Sequence, residues 1–229
     1  MATETTEKTI KSMQKEIKKC QQEIERLQAA RDIENLMSKY EYLHTANMHN
    51  EVSKLFARLP DTRVYFGELG YWEGPDAPDR AWSMLTRLGD TTGMMALHAT
   101  TTPVIVVSGD GKTAKGVWVG LGFVAQARTG KPTCNWEFDR YGIDFIKEGN
   151  TWKIWHHHIY RMLHGLNWDD KWADPYSRPG PVGLQVPADI PVDGPCPPEQ
   201  DNPYRPDTKQ RLMPVPPEPY EKWADVEMF

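Results

Sequence analysis

An α+β fold is predicted by three features of this 229-residue sequence. Apolar residues keep a helical spacing as far as Phe56, β-type runs joined by tight turns follow from Arg63, and prolines crowd the chain beyond Trp172. The length suits one sizeable core with attachments better than two independent cores. The expected division is an oligomerisation helix over 1–30, a domain over 31–172 and a proline-rich arm over 173–229.

The first element is a helix with a seam. Ile10, Met13, Ile17, Cys20, Ile24 and Leu27 alternate at three and four residues, with Lys, Gln and Glu between them. Isoleucine at one seam position, with Met, Cys and Leu at the other, leans towards two strands in a coiled coil. The alternative is a helix packed on its own domain. The pattern runs on through Ile33, Leu36, Met37, Tyr40 and Leu43 and resumes at Leu55 and Phe56, so the polar stretch 45–50 is expected to break it into a helical hairpin.

Strands are expected over 63–67, 101–108, 114–127, 134–147 and 152–163, with a helix over 79–88 between the first two. Ser108-Gly109-Asp110-Gly111 and Glu148-Gly149-Asn150 each join two apolar runs, which marks antiparallel hairpins. Beyond residue 173 the prolines forbid a persistent helix or inner strand. Tyr176, Leu184, Tyr204, Tyr220, Trp223 and Phe229 are too many large apolar groups for a solvated tail. An extended arm is therefore expected, packed on its own domain or on a neighbouring subunit.

The formal net charge of −5 argues against a phosphate-backbone partner. No apolar run is long enough to cross a bilayer, and residues 1–19 do not resemble an export signal. Cys20, Cys134 and Cys196 are an odd number at wide spacing, which fits a reducing, cytoplasmic setting and no paired-cysteine metal site. Gly111-Lys112-Thr113 ends like a phosphate-binding loop, but Val106 stands where its first glycine is needed. No dinucleotide fingerprint, nucleophile elbow or cysteine with an evident base partner is present.

Three passages carry a family resemblance: 31–40 with Leu43-His44 and Leu55-Phe56; Leu97-His98-Ala99-Thr100 leading into 104–107; and 141–147 with its turn and Trp152-Lys153-Ile154-Trp155-His156. Together they resemble the SnoaL-like branch of the nuclear-transport-factor-2 (NTF2) superfamily over about residues 31–164. The resemblance implies a cone: a helical hairpin packed in a curved antiparallel sheet, here with an added coiled-coil helix and the proline-rich arm. Its scytalone-dehydratase-like and bile-acid-dehydratase-like members work without a metal, with an aspartate on the first helix and a histidine on the sheet. Other relatives cyclise polyketides, isomerise steroids, hydrolyse epoxides or remove formaldehyde from lignin-derived compounds. By resemblance His98 takes the histidine position, and His44 stands where the aspartate is expected.

Candidate catalytic residues are thus His98, His44 and Tyr40. Burial among apolar neighbours is expected to lower the His98 pKa and leave a neutral base; a core histidine satisfied by a carbonyl is the alternative. His44 lies one turn after Tyr40, so the two share a helix face, which packing at the helix end would equally explain. In the run His156-His157-His158, strand alternation groups Ile154, His156, His158 and Tyr160 on one face, assigned to the pocket by resemblance, against Trp155, His157 and Ile159. On the preceding strand Trp136, Phe138, Arg140 and Asp144 share a face opposite Glu137, Asp139, Tyr141, Ile143 and Phe145. Arg140, Asp144, His158, Tyr160, Trp118 and Trp136 are the candidate substrate-binding residues, with an external Arg140 ion pair as the alternative for the arginine. Gly120 and Gly122 beside Trp118 leave room over the sheet, for a ligand or for close packing. A metal shared by His156 and His158 would need Asp139, Asp144 or His164 at no recognisable spacing, so none is expected.

The function expected is a lyase, dehydratase-like or carbon–carbon cleaving, acting without a cofactor on a small aromatic or polycyclic substrate in a homo-oligomer, trimer or dimer. Isomerase, cyclase and formaldehyde-lyase activities keep the same pocket. A ligand-binding or assembly protein without catalysis is the alternative of another class.

Overall fold

The computed structural model describes residues 2–87, 89, 91–126, 133–166, 186–197 and 209–229. Its elements are α1 (Ala2–Thr45), α2 (His49–Ser53), β1 (Arg63–Phe66), β2 (Tyr71–Glu73), α3 (Ala77–Thr86), β3 (Met95–Val107), β4 (Thr113–Gln126), β5 (Thr133–Glu148) and β6 (Thr151–Leu166). No helix among the described residues is long and apolar enough to cross a membrane.

The expected N-terminal helix and first domain helix are one unbroken helix, α1, of 44 residues. No glycine or proline stands in 28–32, and Gln28, Ala29, Ala30 and Arg31 are good helix formers, so the backbone ladder runs through. The expected break after Thr45 is real: Asn47 takes a positive φ of 57° before α2 begins. The hairpin's second arm is therefore only the five-residue α2.

The six strands form one sheet in the order β2-β1-β6-β5-β4-β3. β1 runs parallel to β6, and the other neighbours are antiparallel. α1 packs against both β3 at the edge and β6 three strands away, which only a sheet curled around the helix permits. Ala29, Ile33, Met37 and Tyr40 are the buried stripe of α1, at helical spacing. They meet Trp118, Tyr141, Ile143, Phe145 and Ile159 of the sheet, with Trp82 of α3 closing the core. The short β2 went unpredicted because three residues carry too little alternation to read; it is held by Trp72, whose Nε1–H donates to the Ile190 carbonyl at 3.1 Å.

Residues 186–195 pack against β2 and α3, and residues 209–229 run across β4, β5 and β6 on the outer face, covering it around Asp144 while Val119, Leu121 and Phe138 stay about two-fifths exposed. The Arg140 guanidinium donates to the carbonyls of Arg211 and Met213, at 3.2 and 2.9 Å. The Tyr220 hydroxyl lies 3.1 Å from Thr113 Oγ1, and the Phe229 amide donates to Asp144 Oδ2 at 3.0 Å.

Candidate active site

The site lies inside the curl, where the last turn of α1 approaches β3. Two register features place its groups. Across β4 and β5 the pairs Trp118↔Tyr141, Gly120↔Asp139 and Gly122↔Glu137 continue one inner row, and Gly122 also pairs with His98 of β3. His98 and Glu137 are thus two strands apart on one face, with no side chain on the strand between them. The imidazole Nε2 lies 2.7 Å from Glu137 Oε2. From the helix side, the His98 backbone N–H donates to Glu41 Oε1 at 2.9 Å, and the Thr45 hydroxyl donates to the same oxygen at 3.1 Å.

The rings form a connected cluster. His44 stacks on His98 with centroids 4.9 Å apart, and on Tyr40 at 6.0 Å. His44 Nδ1 lies 3.1 Å from His49 Nε2, and Trp82 meets His44 edge-on at 5.4 Å. His157 completes the group, 5.1 Å from Tyr40 and 6.0 Å from Tyr141. Glu41 Oε2, His98 Nδ1, Trp82 Nε1 and both nitrogens of His157 are buried with no hydrogen-bond partner among the described residues.

The environments separate the two central histidines. Burial disfavours the charged form of His98, but the Glu137 carboxylate, helped by Glu41 and Asp139, outweighs it, so its pKa is raised. This corrects the expectation of a lowered value: burial came with a counter-charge that sequence spacing does not reveal. Burial, and then the neighbouring His98 and His49, push His44 well below the ordinary value. Burial alone takes His49 down to about 4 and leads in taking His157 to about 3. Glu41 is raised by burial despite its contact with His98, and Tyr40 is held protonated by burial.

Of the residues read from the sequence, His98, His44 and Tyr40 come together here. Trp118 is on the inner face but deeper, buried edge-on against Phe145 at 6.0 Å. The room expected over the glycines is taken: a side chain on Gly120 would come within 2.6 Å of the Tyr141 ring. The expectation that Arg140, Asp144, His158, Tyr160 and Trp136 line the same hollow is corrected, because they lie on the outer face. Arg140 holds the arm, as described. Asp144 accepts from Lys115 Nζ at 2.6 Å and lies 2.9 Å from His156 Nδ1, wholly buried under Phe229. His158 is stacked between Tyr65 and Tyr160, with centroids 4.2 and 3.9 Å away. Trp136 packs on Phe123 at 6.0 Å.

On β6 a bulge splits the face read from the sequence. The register between β5 and β6 shifts between Asp144↔His156 and Phe145↔Ile154, so Trp155 is an extra residue and the alternation resets there. Ile154 consequently faces inward with His157 and Ile159, while His156 and His158 face out. No group of three or more His, Cys, Asp or Glu among the described residues is arranged to hold a metal ion. Cys196 does meet a histidine, with its Sγ 3.5 Å from His158 Nε2, but burial holds that ring at about 3, too weak a base to draw the thiol proton.

The strongest groups missed in the sequence are Glu41, Glu137, His49 and His157. A SnoaL-like domain model matches residues 25–158, which takes in α1 from its buried half through the inner row to His157 and His158.

The chain belongs to the SnoaL-like domain family.

Among solved structures, this SnoaL-like chain is similar to a scytalone dehydratase candidate from Novosphingobium aromaticivorans, with 19% identity and a TM-score of 0.50 over 66% of this chain and 94% of that one. It is also similar to a dehydratase candidate of the NTF2-like family from Streptomyces avermitilis, with 11% identity and a TM-score of 0.50 over 59% of this chain and 97% of that one. At these identities the likeness is one of fold. No curated protein matches the chain at a significant level. The SnoaL-like match ends before the arm that covers the outer face, so the buried Asp144 cluster joins family sheet to added segment.

Proposed function

We propose that this protein is a lyase that moves protons on a small, largely apolar aromatic or polycyclic substrate, dehydrating a hydroxylated ring or cleaving a carbon–carbon bond, without a cofactor. The observation that carries the reading is the His98–His44 pair: two stacked imidazoles whose surroundings drive their proton affinities in opposite directions, as acid and base assignments require. With the Nε2–H of His98 donating to Glu137, Nδ1 is left as an acceptor without a protein partner, and the imidazolium formed on taking a substrate proton is stabilised by Glu137. His98 is then the general base. His44, held neutral, donates a hydrogen bond to the leaving hydroxyl or the developing oxyanion, and the protonated Tyr40 phenol orients the same group. Glu41 fixes the β3 backbone at His98 rather than transferring the proton. Trp82, Phe56 and Tyr141, packed in the core beside the two imidazoles, are the apolar rings that a ring-bearing guest would meet.

The test is a panel of hydroxylated bicyclic ketones and of aryl propanoids bearing a terminal hydroxymethyl group, with products followed by mass spectrometry. Loss of water or release of formaldehyde that disappears in His98→Gln supports the reading. Binding of panel members with quantitative recovery of unchanged ligand would make the protein a carrier and sink it.

A further inference from the structure

The projecting half of α1 carries an independent message. Every described residue from Thr5 to Glu25 is exposed, and Ala29 is the first buried one. Residues 5–25 therefore extend about 30 Å from the domain as bare helix. Along it Ile10, Met13, Ile17, Ile24 and Leu27 are 49%, 60%, 55%, 54% and 64% exposed, and Cys20 completes the stripe. A lone helix of this length is marginal in water, and an apolar seam repeating every seven residues has no use for solvent.

We propose that residues 10–27 pair with the same residues of a second copy of this chain as a parallel, in-register, two-stranded coiled coil, with Cys20 facing Cys20. Ile10, Ile17 and Ile24 occupy the first seam position, and Met13, Cys20 and Leu27 the second; β-branched residues at the first position with leucine at the second favour two strands. The flanks fix the direction. Glu16 and Glu23 line one shoulder of the seam, and Gln14, Gln21 and Gln28 line the other. In a parallel pair Glu16 meets Gln21 of the partner subunit and Glu23 meets Gln28 of the partner subunit, a carboxylate against an amide donor. An antiparallel pair would set the glutamate shoulders against each other, so like charge opposes that arrangement. Lys19 and Arg26 pair with Glu16 and Glu23 along their own helix, on the side away from the seam.

The experiment uses full-length protein with Cys134→Ser and Cys196→Ser, leaving Cys20 as the sole thiol. Mild oxidation is expected to convert it to a disulfide-linked dimer on a non-reducing gel. Moving the thiol along the seam, as Met13→Cys or Leu27→Cys with Cys20→Ser, is expected to link 13 to 13 and 27 to 27. Lys18→Cys with Cys20→Ser, its thiol on the outer face, is expected to stay monomeric on the gel. Light scattering of the parent protein should give twice the chain mass, falling to one chain in the Ile17→Asp, Ile24→Asp variant with its near-ultraviolet dichroism intact. A monomeric parent, a mass of three chains, or a dimer that neither forms these links nor responds to the aspartates would overturn the proposal. A monomer would assign the seam to a segment of its own chain.

Discussion

The imidazole of His44 lies against that of His98 at 4.9 Å with 29° between their planes, although one sits on a helix and the other on the far edge strand of the sheet. Only the curl of the sheet around α1 brings them together. Their proton affinities diverge because Glu137 is hydrogen-bonded to the His98 ring, while burial and the neighbouring His98 and His49 act on His44.

If the two rings act as a unit, removing either should cost about as much as removing both. His98→Gln is expected to lower kcat by roughly 100- to 10,000-fold with the fold retained, the usual range for lost general acid–base catalysis. His44→Ala in that background should add little. Multiplying losses in the double variant would separate the residues.

Glu137 acts through His98. Replacing it with Gln removes the counter-charge that raises the His98 pKa. Since a base works deprotonated, the acidic limb of the kcat/KM profile should move to lower pH in Glu137→Gln while the plateau falls. An unmoved limb would mean that His98 is not the group seen in the profile.

Acid should destabilise the protein before most carboxylates titrate. His49 is held at about 4, and His157 and His158 at about 3, so between the unfolded value near 6.5 and those values the unfolded chain binds more protons than the folded one. Stability is full above that window and drains as pH falls through it, each group adding up to about 1.4 kcal/mol per pH unit. The raised His98 works in the opposite sense, losing its contribution as pH rises through its own value, but it is outnumbered. Denaturant midpoints taken from pH 7 to pH 4 should fall steadily, and His157→Gln should flatten the slope by about one proton.

The outer face supplies a stability test. Asp144 is wholly buried and serves Lys115, His156 and the Phe229 amide together. Asp144→Ala leaves a buried ammonium unpaired and is expected to cost about 3–5 kcal/mol. Adding Lys115→Met should recover much of the loss. Limited proteolysis should cut within residues 209–229 faster in the single variant, while an unchanged denaturation midpoint would show that the pair contributes nothing.

The elements were legible because their signals are local. Hairpin turns at Gly111 and Gly149, both with positive φ, and the β-type runs between them sit close to where the spacing puts them. His98 and His44 were legible through the resemblance. Which face of β5 and β6 looks inward was not. Alternation tells which residues share a face, but the arm covers the outer one around Asp144, so Asp144, His156 and His158 are as buried as Tyr141 and His157 and the usual polar contrast vanishes there. The bulge at Trp155 further separates Ile154 from His156 and His158. Glu41 and Glu137 carried no signal of their own, because a buried carboxylate announces itself only through a partner that is distant in sequence.

The unbroken run of α1 ties Ile24 and His44 to a single rotational phase. Each residue inserted between them would turn the seam by about 100° about the axis, so one extra residue near position 28 would point the two domains of a pair in a new direction while leaving each pocket whole. Insertion of seven residues nearly restores the azimuth and merely lengthens the rod. Spacing along this helix is thus an angular specification, set by arithmetic rather than by any side chain.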